Sequence, residues 1–242
     1  RRYLERELRA ALFMNELELH YQPVLDKDGE PLGVEGLVRW RHPLRGVVSP
    51  VDFIPVAERS TLIDQVGAWV FRRACLDVEK VPGRCISVNV SGEQLKRDEL
   101  VHMLRRTLAA TGRRASQFVL EITETAAMAG TEEVLARLRT LRAMGFRIAL
   151  DDFGTGNCGF NYLRSLPVDS IKVDRSYVRT LANDEISRVF VTALVEIARI
   201  KGFSIVAEGV ETDEEFALAR AAGCNAFQGY LLGRPHPLRP SA

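Results

Sequence analysis

The sequence is dominated by an alternation of short apolar, β-branched runs with stretches of helical spacing. The eight runs predicted as strands are 17–25, 32–38, 85–90, 118–122, 146–150, 170–173, 203–207 and 226–230. The stretches with helical spacing and charged outer faces are 60–80, 93–112, 131–145, 184–202 and 212–223. Strands that alternate with helices in this way predict a mainly parallel sheet covered by helices.

Eight strands in this pattern predict an α/β fold of the closed (β/α)8 barrel type, with an open doubly wound sheet as the alternative. Gly145, Gly202 and Gly223 stand where helix C-caps are expected. The first connection, GEPLG at 29–33, is too short for a crossover helix, so strands one and two should pair antiparallel. We therefore expect an irregular barrel whose first strand runs antiparallel.

The domain organisation predicted is an N-terminal helix followed by one large domain. Residues 1–16 are interpreted as a linker helix from upstream regulatory domains, because the sequence starts with Arg1 and shows amphipathic spacing. The apolar face of this helix consists of Leu4, Leu8, Ala11 and Leu12. Residues 17–242 are predicted to form the barrel domain, since no repeat or low-complexity segment interrupts them.

The charge balance excludes several classes of partner. Lysine plus arginine (33) against aspartate plus glutamate (32) leaves a formal net charge of +1, which argues against binding of a DNA or RNA polymer. No apolar run approaches the roughly 18 to 20 residues of a membrane span. We expect no membrane partner for this domain, and a location in the cytoplasm or on the cytoplasmic side of a larger, membrane-anchored protein.

The cysteines and histidines do not suggest a metal centre. The four cysteines are too far apart for a zinc site and are interpreted as free thiols in a reducing compartment. They are Cys75, Cys85, Cys158 and Cys224. The four histidines are equally scattered along the chain.

Polar residues occupy positions in seven of the predicted strands, or directly after them, where an apolar residue would pack better. They are Glu35, Asn89, Glu121, Asp151, Asp152, Lys172, Glu208 and Gln228. One such residue alone is typical of a turn or helix cap, as Asp152 would be. Seven strands with the same feature favour a site, because the carboxyl ends of parallel barrel strands meet on one face.

Five carboxylates on that face cannot all stay ionised unless positive charge neutralises them. Two unit charges 4 Å apart repel by about 4 kcal/mol at an effective dielectric constant near 20. Either some of the carboxylates are protonated or cations neutralise them. Oxygen ligands favour hard divalent ions such as Mg²⁺ or Mn²⁺, and the adjacent Asp151 and Asp152 could serve two ions.

Lys172 and nearby arginines supply positive charge. The chain has only five lysines against 28 arginines, so a lysine inside an apolar strand is an unusual choice. Its ammonium could orient an attacking water or could merely neutralise the carboxylates. Past the second strand, Arg39 could bind a phosphate in bidentate fashion, whereas Arg41 and Arg45 alone are more typical of solvated side chains.

Nine ordered motifs resemble the EAL-domain phosphodiesterases, which hydrolyse the bacterial second messenger cyclic di-GMP. The motifs are YQPV (21–24), EGLVRW (35–40), SPVDFIPVAE (49–58), SVNVS (87–91), LEITET (120–125), ALDDFGTG (149–156), SIKVDRSYV (170–178), AEGVET (207–212) and QGYLLGRP (228–235). Any single one would be a weak signal, but the ordered set over some 220 residues is specific.

The resemblance implies an irregular (β/α)8 barrel with an antiparallel first strand, two divalent cations and a homodimer. It also implies roles for individual residues. The cation ligands would be Glu35, Asn89, Glu121, Asp151, Asp152 and Glu208. The residues that act on the reacting water and phosphate would be Lys172, Glu208 and Glu35. The contacts to the dinucleotide would be Gln22, Leu37, Arg39, Pro50 and Gln228, and the supporting acids would be Glu124 and Glu211.

The chain departs from the family pattern at two places. The signature Glu-Ala-Leu reads Glu35-Gly36-Leu37 here, which keeps the acid and loses a methyl group. The segment 157–160 reads Asn-Cys-Gly-Phe where the family usually has Tyr-Ser-Ser-Leu. In the family that loop couples the cation site to the dimer interface, so the change bears on rate and regulation.

We therefore predict metal-dependent hydrolysis of one phosphodiester bond of cyclic di-GMP to linear 5′-pGpG. The alternative from another class is a cyclic di-GMP receptor module that binds without cutting. A third hypothesis is a barrel enzyme of the enolase type acting on a small carboxylate. Because resemblance is analogy, the residues themselves have to support the choice.

Overall fold

Eight strands close into a barrel, as the alternation predicts, in the computed structural model, which describes residues 2–128, 132–155 and 162–238. Within these ranges the strands are β1 (Leu17–Asp26), β2 (Pro31–His42), β3 (Gly46–Val48), β4 (Ile86–Asn89), β5 (Phe118–Thr123), β6 (Arg147–Phe153), β7 (Ser170–Val173), β8 (Ser204–Ala207), β9 (Ala226–Phe227) and β10 (His236–Pro237). The ring order is β1-β2-β4-β5-β6-β7-β8-β9, closing on β1, while β3 and β10 extend β2 and β1 outside it.

The first strand is antiparallel to both of its barrel neighbours, β2 and β9, and the other barrel pairs are parallel. This confirms the irregular (β/α)8 barrel predicted from the short connection at 29–33. The hairpin register places Gln22 opposite Glu35 and Tyr21 opposite Gly36. An open doubly wound sheet is excluded, because β9 returns to β1 and closes the ring.

Helices surround the barrel. They are α1 (Arg2–Ala11), α2 (Pro50–Glu58), α3 (Leu62–Asp77), α4 (Gly92–Leu95), α5 (Glu99–Thr111), α6 (Glu124–Met128), α7 (Glu132–Ala143), α8 (Arg175–Thr180), α9 (Glu185–Lys201) and α10 (Asp213–Ala221). The three predicted C-cap glycines, Gly145, Gly202 and Gly223, have φ values of 102°, 80° and 101°. These left-handed conformations are the ones that glycine adopts most readily after a helix.

Several elements differ from the sequence prediction. Helix α2 was not predicted, because Pro50 and Pro55 interrupt its apolar spacing, although a proline is well tolerated in the first turn of a helix. The predicted helix 93–112 is divided into α4 and α5. The last predicted strand, 226–230, ends at Phe227, because the backbone carbonyl of Gln228 accepts a bond from the amide of Val210 and the chain then turns.

The N-terminal helix α1 packs on the barrel domain. Leu8 and Ala11 are buried in the same apolar core as the barrel residues, and α1 contacts α2. The Glu7 carboxylate lies 3.1 Å from the buried His42 ring, at the end of β2. The role of residues 1–16 as a linker from upstream domains stays a prediction.

Two further expectations concern thiols and membranes. Cys75, Cys85 and Cys224 are free and buried, as predicted, and Cys158 lies outside the described residues. Among the helices of the described ranges, none combines the length and apolar character that crossing a bilayer requires.

The burial of Leu8 yields a prediction about stability. Leu8→Ala should lower the free energy of unfolding by about 2 to 4 kcal/mol, because it removes buried methyl groups and leaves a cavity between α1 and the barrel. The matched control is Met14→Ala, an exposed apolar residue just after α1, which should change stability by less than about 0.5 kcal/mol. Denaturant unfolding of both variants measures the difference, and equal values would show that α1 is not held by the core.

Candidate active site

The polar residues predicted from the strand pattern converge on one face of the barrel. Their positions are Glu35 within β2, Asn89 at the end of β4, Glu121 in β5, Asp151 and Asp152 in β6, Lys172 in β7, Glu208 directly after β8 and Gln228 directly after β9. The side chains of Glu35, Glu121 and Lys172 are buried. Buried charges require partners, and these residues supply them for one another.

Lys172 is the centre of this cluster. Its side chain is almost completely buried, with 2% of the residue exposed. The ammonium nitrogen lies 2.6 Å from a carboxylate oxygen of Glu121 and 2.6 Å from one of Glu208. The corresponding distances to Glu35 and Asp151 are 3.3 Å and 3.5 Å. Four strands of the barrel and the segment after β8 thus direct charged groups to one point.

The orientation of Glu35 is fixed from two sides. The Asn89 amide nitrogen donates to one carboxylate oxygen at 2.8 Å, and the Gln228 amide nitrogen donates to the other at 2.6 Å. Gln228 also donates to the side-chain oxygen of Gln22 at 3.2 Å. Since a carboxylate only accepts hydrogen bonds, these contacts fix which end of each amide faces Glu35.

The charges in the cluster shift the pKa values of its members in opposite directions. Burial and the charge of Glu35 raise the pKa of Glu121 well above its ordinary value. Burial, with the charges of Asp151 and Glu35, raises the pKa of Glu208 to about 8. Burial alone would raise the pKa of Glu35 as well, but Lys172 and the two amide donors lower it. The cluster therefore holds more carboxylates than a single ammonium neutralises.

Lys172 itself stays charged. Burial alone would lower the pKa of its ammonium, but the carboxylates of Glu121, Glu208 and Glu35 raise it well above the ordinary value. The group is therefore a permanent hydrogen-bond donor at the centre of the site. It carries three hydrogens and cannot act as an acceptor.

Asp152 has a strained backbone. Its φ is +54°, a left-handed conformation that residues other than glycine seldom adopt and that concentrates at functional sites. Desolvation and the neighbouring charge of Asp151 raise the pKa of its carboxyl. The strain turns two successive residues of β6 toward the same site, which the alternation of a regular strand would prevent.

The donor set fits divalent cations. The donor oxygens of Asp151, Asp152 and Glu208 all lie within 4.8 Å of one another. Because the side-chain nitrogen of Asn89 donates a hydrogen bond to Glu35, the side-chain oxygen of Asn89 is available as a ligand. The side-chain oxygen of Gln228 is buried without a hydrogen-bond partner among the described residues. Oxygen-only donor sets with excess negative charge are those that Mg²⁺ and Mn²⁺ prefer.

A cavity of about 400 Å³ opens next to this cluster. Its lining includes Gln22, Glu35, Leu37, Asp152, Glu208 and Gln228. Of the predicted contacts to the dinucleotide, Gln22, Leu37 and Gln228 therefore lie together. Arg39 and Pro50 do not line this cavity. The Arg39 guanidinium donates to its neighbour's carbonyl oxygen, on Val38, at 2.9 Å, and Pro50 begins α2.

The two predicted supporting acids have distinct environments. The Glu124 carboxylate is buried and accepts a hydrogen bond from the backbone amide of Gly154 at 2.9 Å, which ties the start of α6 to the segment after β6. Glu211 lines the cavity and pairs with the Arg179 guanidinium at 2.5 Å. The unusual segment 157–160 lies outside the described residues.

The cavity also contains residues that the strand pattern did not single out. Asp174, Arg175 and Tyr230 line it, and each stands within three residues after the end of a barrel strand. Their position just after a strand end was the feature of the sequence that could have identified them. Gly209 allows Arg175 to approach, since its φ is +65° and a Cβ there would lie 2.4 Å from the Arg175 Cβ.

Comparison with known proteins identifies relatives of this chain. It is 42% identical over 238 residues to "Bifunctional diguanylate cyclase/cyclic di-GMP phosphodiesterase MucR" of Pseudomonas aeruginosa, covering 96% of this chain and 35% of the relative. It is 41% identical over 241 residues to "Cyclic di-GMP phosphodiesterase NbdA" of the same organism, covering 97% and 31%. The chain thus spans about a third of the length of these curated relatives.

Solved structures show the same fold. "PaMucR Phosphodiesterase, c-di-GMP complex" superposes with a TM-score of 0.90 at 40% identity and covers 97% of this chain and 98% of that chain. The FimX EAL domain of Pseudomonas aeruginosa bound to c-di-GMP has a TM-score of 0.89 at 25% identity, with 96% of each chain covered. The family described as the EAL domain matches residues 5–235. The chain therefore belongs to the EAL domain family.

Proposed function

We propose that this domain hydrolyses one phosphodiester bond of cyclic di-GMP to give linear 5′-pGpG, using two divalent cations, Mg²⁺ or Mn²⁺. The observation that carries the proposal is the convergence of five carboxylates and the buried Lys172 at the mouth of an EAL-family barrel. The names of MucR and NbdA, both phosphodiesterases that act on cyclic di-GMP, support the choice of substrate.

The cations would be held by Glu35, Asn89, Glu121, Asp151, Asp152 and Glu208. When bound, such ions make a water molecule more acidic and neutralise charge on a phosphate. The amide donors Asn89 and Gln228 keep the Glu35 carboxylate in one orientation before any ligand arrives. This pre-organisation reduces the cost of ordering the site when it binds.

Lys172 would orient the attacking water. Its ammonium is buried, charged and positioned by four carboxylates. Once cations bind those carboxylates, one of its three N–H groups would be left to donate to a water oxygen at one defined place. In the reaction, the water oxygen bonds to phosphorus while the bond from phosphorus to the 3′ oxygen breaks. The water thereby gives a hydroxyl group to the phosphate and a proton to the 3′ oxygen.

The dinucleotide would lie in the cavity beside the cluster. Gln22 and Leu37 line it, and the Gln22 amide donates to the carbonyl oxygen of Gly233 at 3.0 Å, which holds the side chain at the cavity wall. We propose that Arg39 turns toward a phosphate of the bound dinucleotide and that Pro50 contacts it from the start of α2. Both assignments rest on the resemblance.

The neighbouring domains, the oligomeric state and the location of the domain are proposed on similar grounds. Fusion to upstream regulatory domains is supported by the length of MucR and NbdA, of which this chain covers 35% and 31%. A homodimer and a cytoplasmic location, or the cytoplasmic part of a membrane-anchored protein, follow from the resemblance alone.

The first test is an assay of the purified domain with cyclic di-GMP in the presence of Mg²⁺, Mn²⁺ or EDTA. We expect 5′-pGpG to accumulate with either cation and to be absent with EDTA. Without cations the negative carboxylates would repel the negative phosphate, and no ion would activate the water. Chromatography separates substrate and product. Binding of cyclic di-GMP without metal-dependent product would instead support the receptor module, and turnover of a hydroxy acid would support the enolase-type enzyme.

The second test removes single members of the cluster. Glu35→Ala and Lys172→Ala should each reduce turnover by roughly a hundredfold or more, because each removes a charged group at the reacting centre. Lys27→Ala is the matched control, since Lys27 is exposed in the first hairpin, and it should keep the full rate. Residual activity of a tenth or more in Glu35→Ala or Lys172→Ala would contradict the assigned roles, provided that circular dichroism shows a folded variant.

The third test restores the usual alanine of the family signature. A Cβ at Gly36 would lie 3.4 Å from Ile86 Cγ2 and from the Ser87 carbonyl oxygen, which are ordinary contact distances. Gly36→Ala should therefore keep activity within about twofold and leave stability unchanged or up to about 1 kcal/mol higher.

The same strand offers a matched control for Gly36→Ala. A Cβ at Gly33 would lie 2.7 Å from the carbonyl oxygen of Cys85, so Gly33→Ala should lower the free energy of unfolding by about 1 to 3 kcal/mol. Thermal unfolding measures the stability of both variants, and the turnover assay measures their activity. A loss of activity in Gly36→Ala would mean that the glycine is required by the site.

A further inference from the structure

A second cavity, the interior cavity, lies inside the barrel at the end opposite to the candidate active site and has a volume of about 190 Å³. Its wall is formed mostly by the first residues of the parallel strands, in which every second residue faces the inside of the barrel. Small residues stand at six of these positions, where barrels usually carry bulky branched side chains. They are Gly33, Ser87, Ala149, Ser170, Ser204 and Ala226. This end of the barrel therefore has room for a small molecule.

The interior cavity reaches the underside of the carboxylate cluster. Glu121, Lys172 and Gln228 line it, and Gln228 also lines the active-site cavity. The side-chain nitrogen of Gln228 donates to Gln22 and Glu35 on the active-site side, so its side-chain oxygen is the atom left for the interior cavity. That oxygen is buried and has no hydrogen-bond partner within the described ranges. Because buried acceptors normally have a partner, this one favours a bound molecule that carries a donor.

Arg147 places a positive charge at the mouth of the interior cavity. It is the first residue of β6, it is exposed, and it lines the cavity. One guanidinium nitrogen lies 2.8 Å from the Cys85 sulfur, and no carboxylate in the described part of the chain forms an ion pair with this guanidinium. A guanidinium carries several N–H donors and binds carboxylates in bidentate fashion. The group therefore favours an anionic ligand.

The acidic residues that line the interior cavity do not oppose an anion at Arg147. Asp169 pairs with the Arg142 guanidinium at 2.7 Å. Glu121 lies at the inner end of the cavity, where its carboxylate is 2.6 Å from the Lys172 ammonium. Each of these carboxylates thus has a cation beside it, and the charge of Arg147 is left uncompensated.

We propose that the interior cavity binds a small hydroxycarboxylate, whose carboxylate contacts Arg147 and whose hydroxyl donates to the side-chain oxygen of Gln228. The hydroxyls of the three serines in the wall have no hydrogen-bond partner in the described ranges, so they can bind the ligand along its length. From Arg147 to the level of Ala149 and Glu121 the cavity is about 6.6 Å deep at the usual rise of a strand, which suits a chain of about four carbons. Valines offer apolar contact to that chain, namely Val24, Val34, Val119 and Val206.

A ligand at this place would act on the candidate active site through Gln228. With its oxygen bonded from the interior cavity, the amide can present only its nitrogen to Glu35, which it contacts at 2.6 Å. Glu35 would then keep the orientation proposed for the reaction, so turnover should rise. This coupling rests on the proposed function, whereas the binding site itself does not. The ligand is not a substrate, because it enters from the end of the barrel away from the proposed cation ligands.

The first measurement is the binding of three small probes by isothermal titration in EDTA, which keeps carboxylates from binding to cations. γ-Hydroxybutyrate should bind with a dissociation constant on the order of millimolar, as expected for a ligand of this size. Butyrate lacks the hydroxyl and butanol lacks the carboxylate, so each should bind about tenfold more weakly or worse. Equal binding of all three probes, or no binding of γ-hydroxybutyrate, would contradict the proposal.

Two variants locate the site. Arg147→Gln removes the charge, and Ala149→Val adds methyl groups inside the interior cavity, so each should weaken the binding of γ-hydroxybutyrate about tenfold or more. Arg199→Gln is the matched control, because Arg199 is an exposed arginine on α9 that pairs with Glu196 and does not line the cavity. It should bind the probe like the unaltered domain. Unchanged binding in Arg147→Gln and Ala149→Val, with circular dichroism showing folded variants, would place the ligand elsewhere and overturn the proposal.

Steady-state assays with Mg²⁺ test the coupling. Saturating γ-hydroxybutyrate should raise kcat for cyclic di-GMP about twofold and leave KM nearly constant, and Arg147→Gln should keep the basal rate and lose the response. A bound probe that leaves kcat unchanged would overturn the coupling through Gln228. A rise in KM would mean that the probe competes in the active-site cavity, against the proposal. If the unaltered domain neither binds nor cuts cyclic di-GMP, the proposed function fails, while the titrations still decide whether the interior cavity binds the probe.

Discussion

The buried ammonium of Lys172 is the interaction on which the arrangement of the site depends. A charge with 2% exposure is tolerated only because four carboxylates lie within 3.5 Å of it. Those carboxylates come from β2, β5, β6 and the segment after β8, so the register of half the barrel has to be correct before the charge is compensated. The arrangement of the site therefore depends on the closure of the barrel.

The reversed first strand has a consequence for the site. Because β1 runs antiparallel, the hairpin register places Gln22 opposite Glu35, and the side-chain amide of Gln228, directly after β9, donates hydrogen bonds to both of them. Polar groups from three neighbouring strands thus form one connected network at the point where the barrel closes. A strand in the usual parallel direction would need a crossover connection, for which the chain between β1 and β2 is too short.

The excess of negative charge explains why the site needs more than its own lysine. The pKa values of Glu121 and Glu208 are raised by burial and by their acidic neighbours, so the cluster without cations favours the protonated forms of these carboxyl groups. Divalent cations would replace those protons with positive charge at the same oxygens. The strained backbone at Asp152, which brings a second aspartate to the site, fits that purpose.

The sequence by itself determined the alternation of strands and helices, the antiparallel hairpin and the set of polar residues at the strand ends, because periodicity and short connections are local properties. The proline-containing helix α2 and the early end of β9 were missed, since neither follows from local spacing. Only the tertiary structure decided which polar groups meet Lys172, that Asp152 adopts a left-handed backbone and that Tyr230 lies at the cavity. These depend on shear, closure and contacts between residues far apart in the chain, which no window of sequence contains.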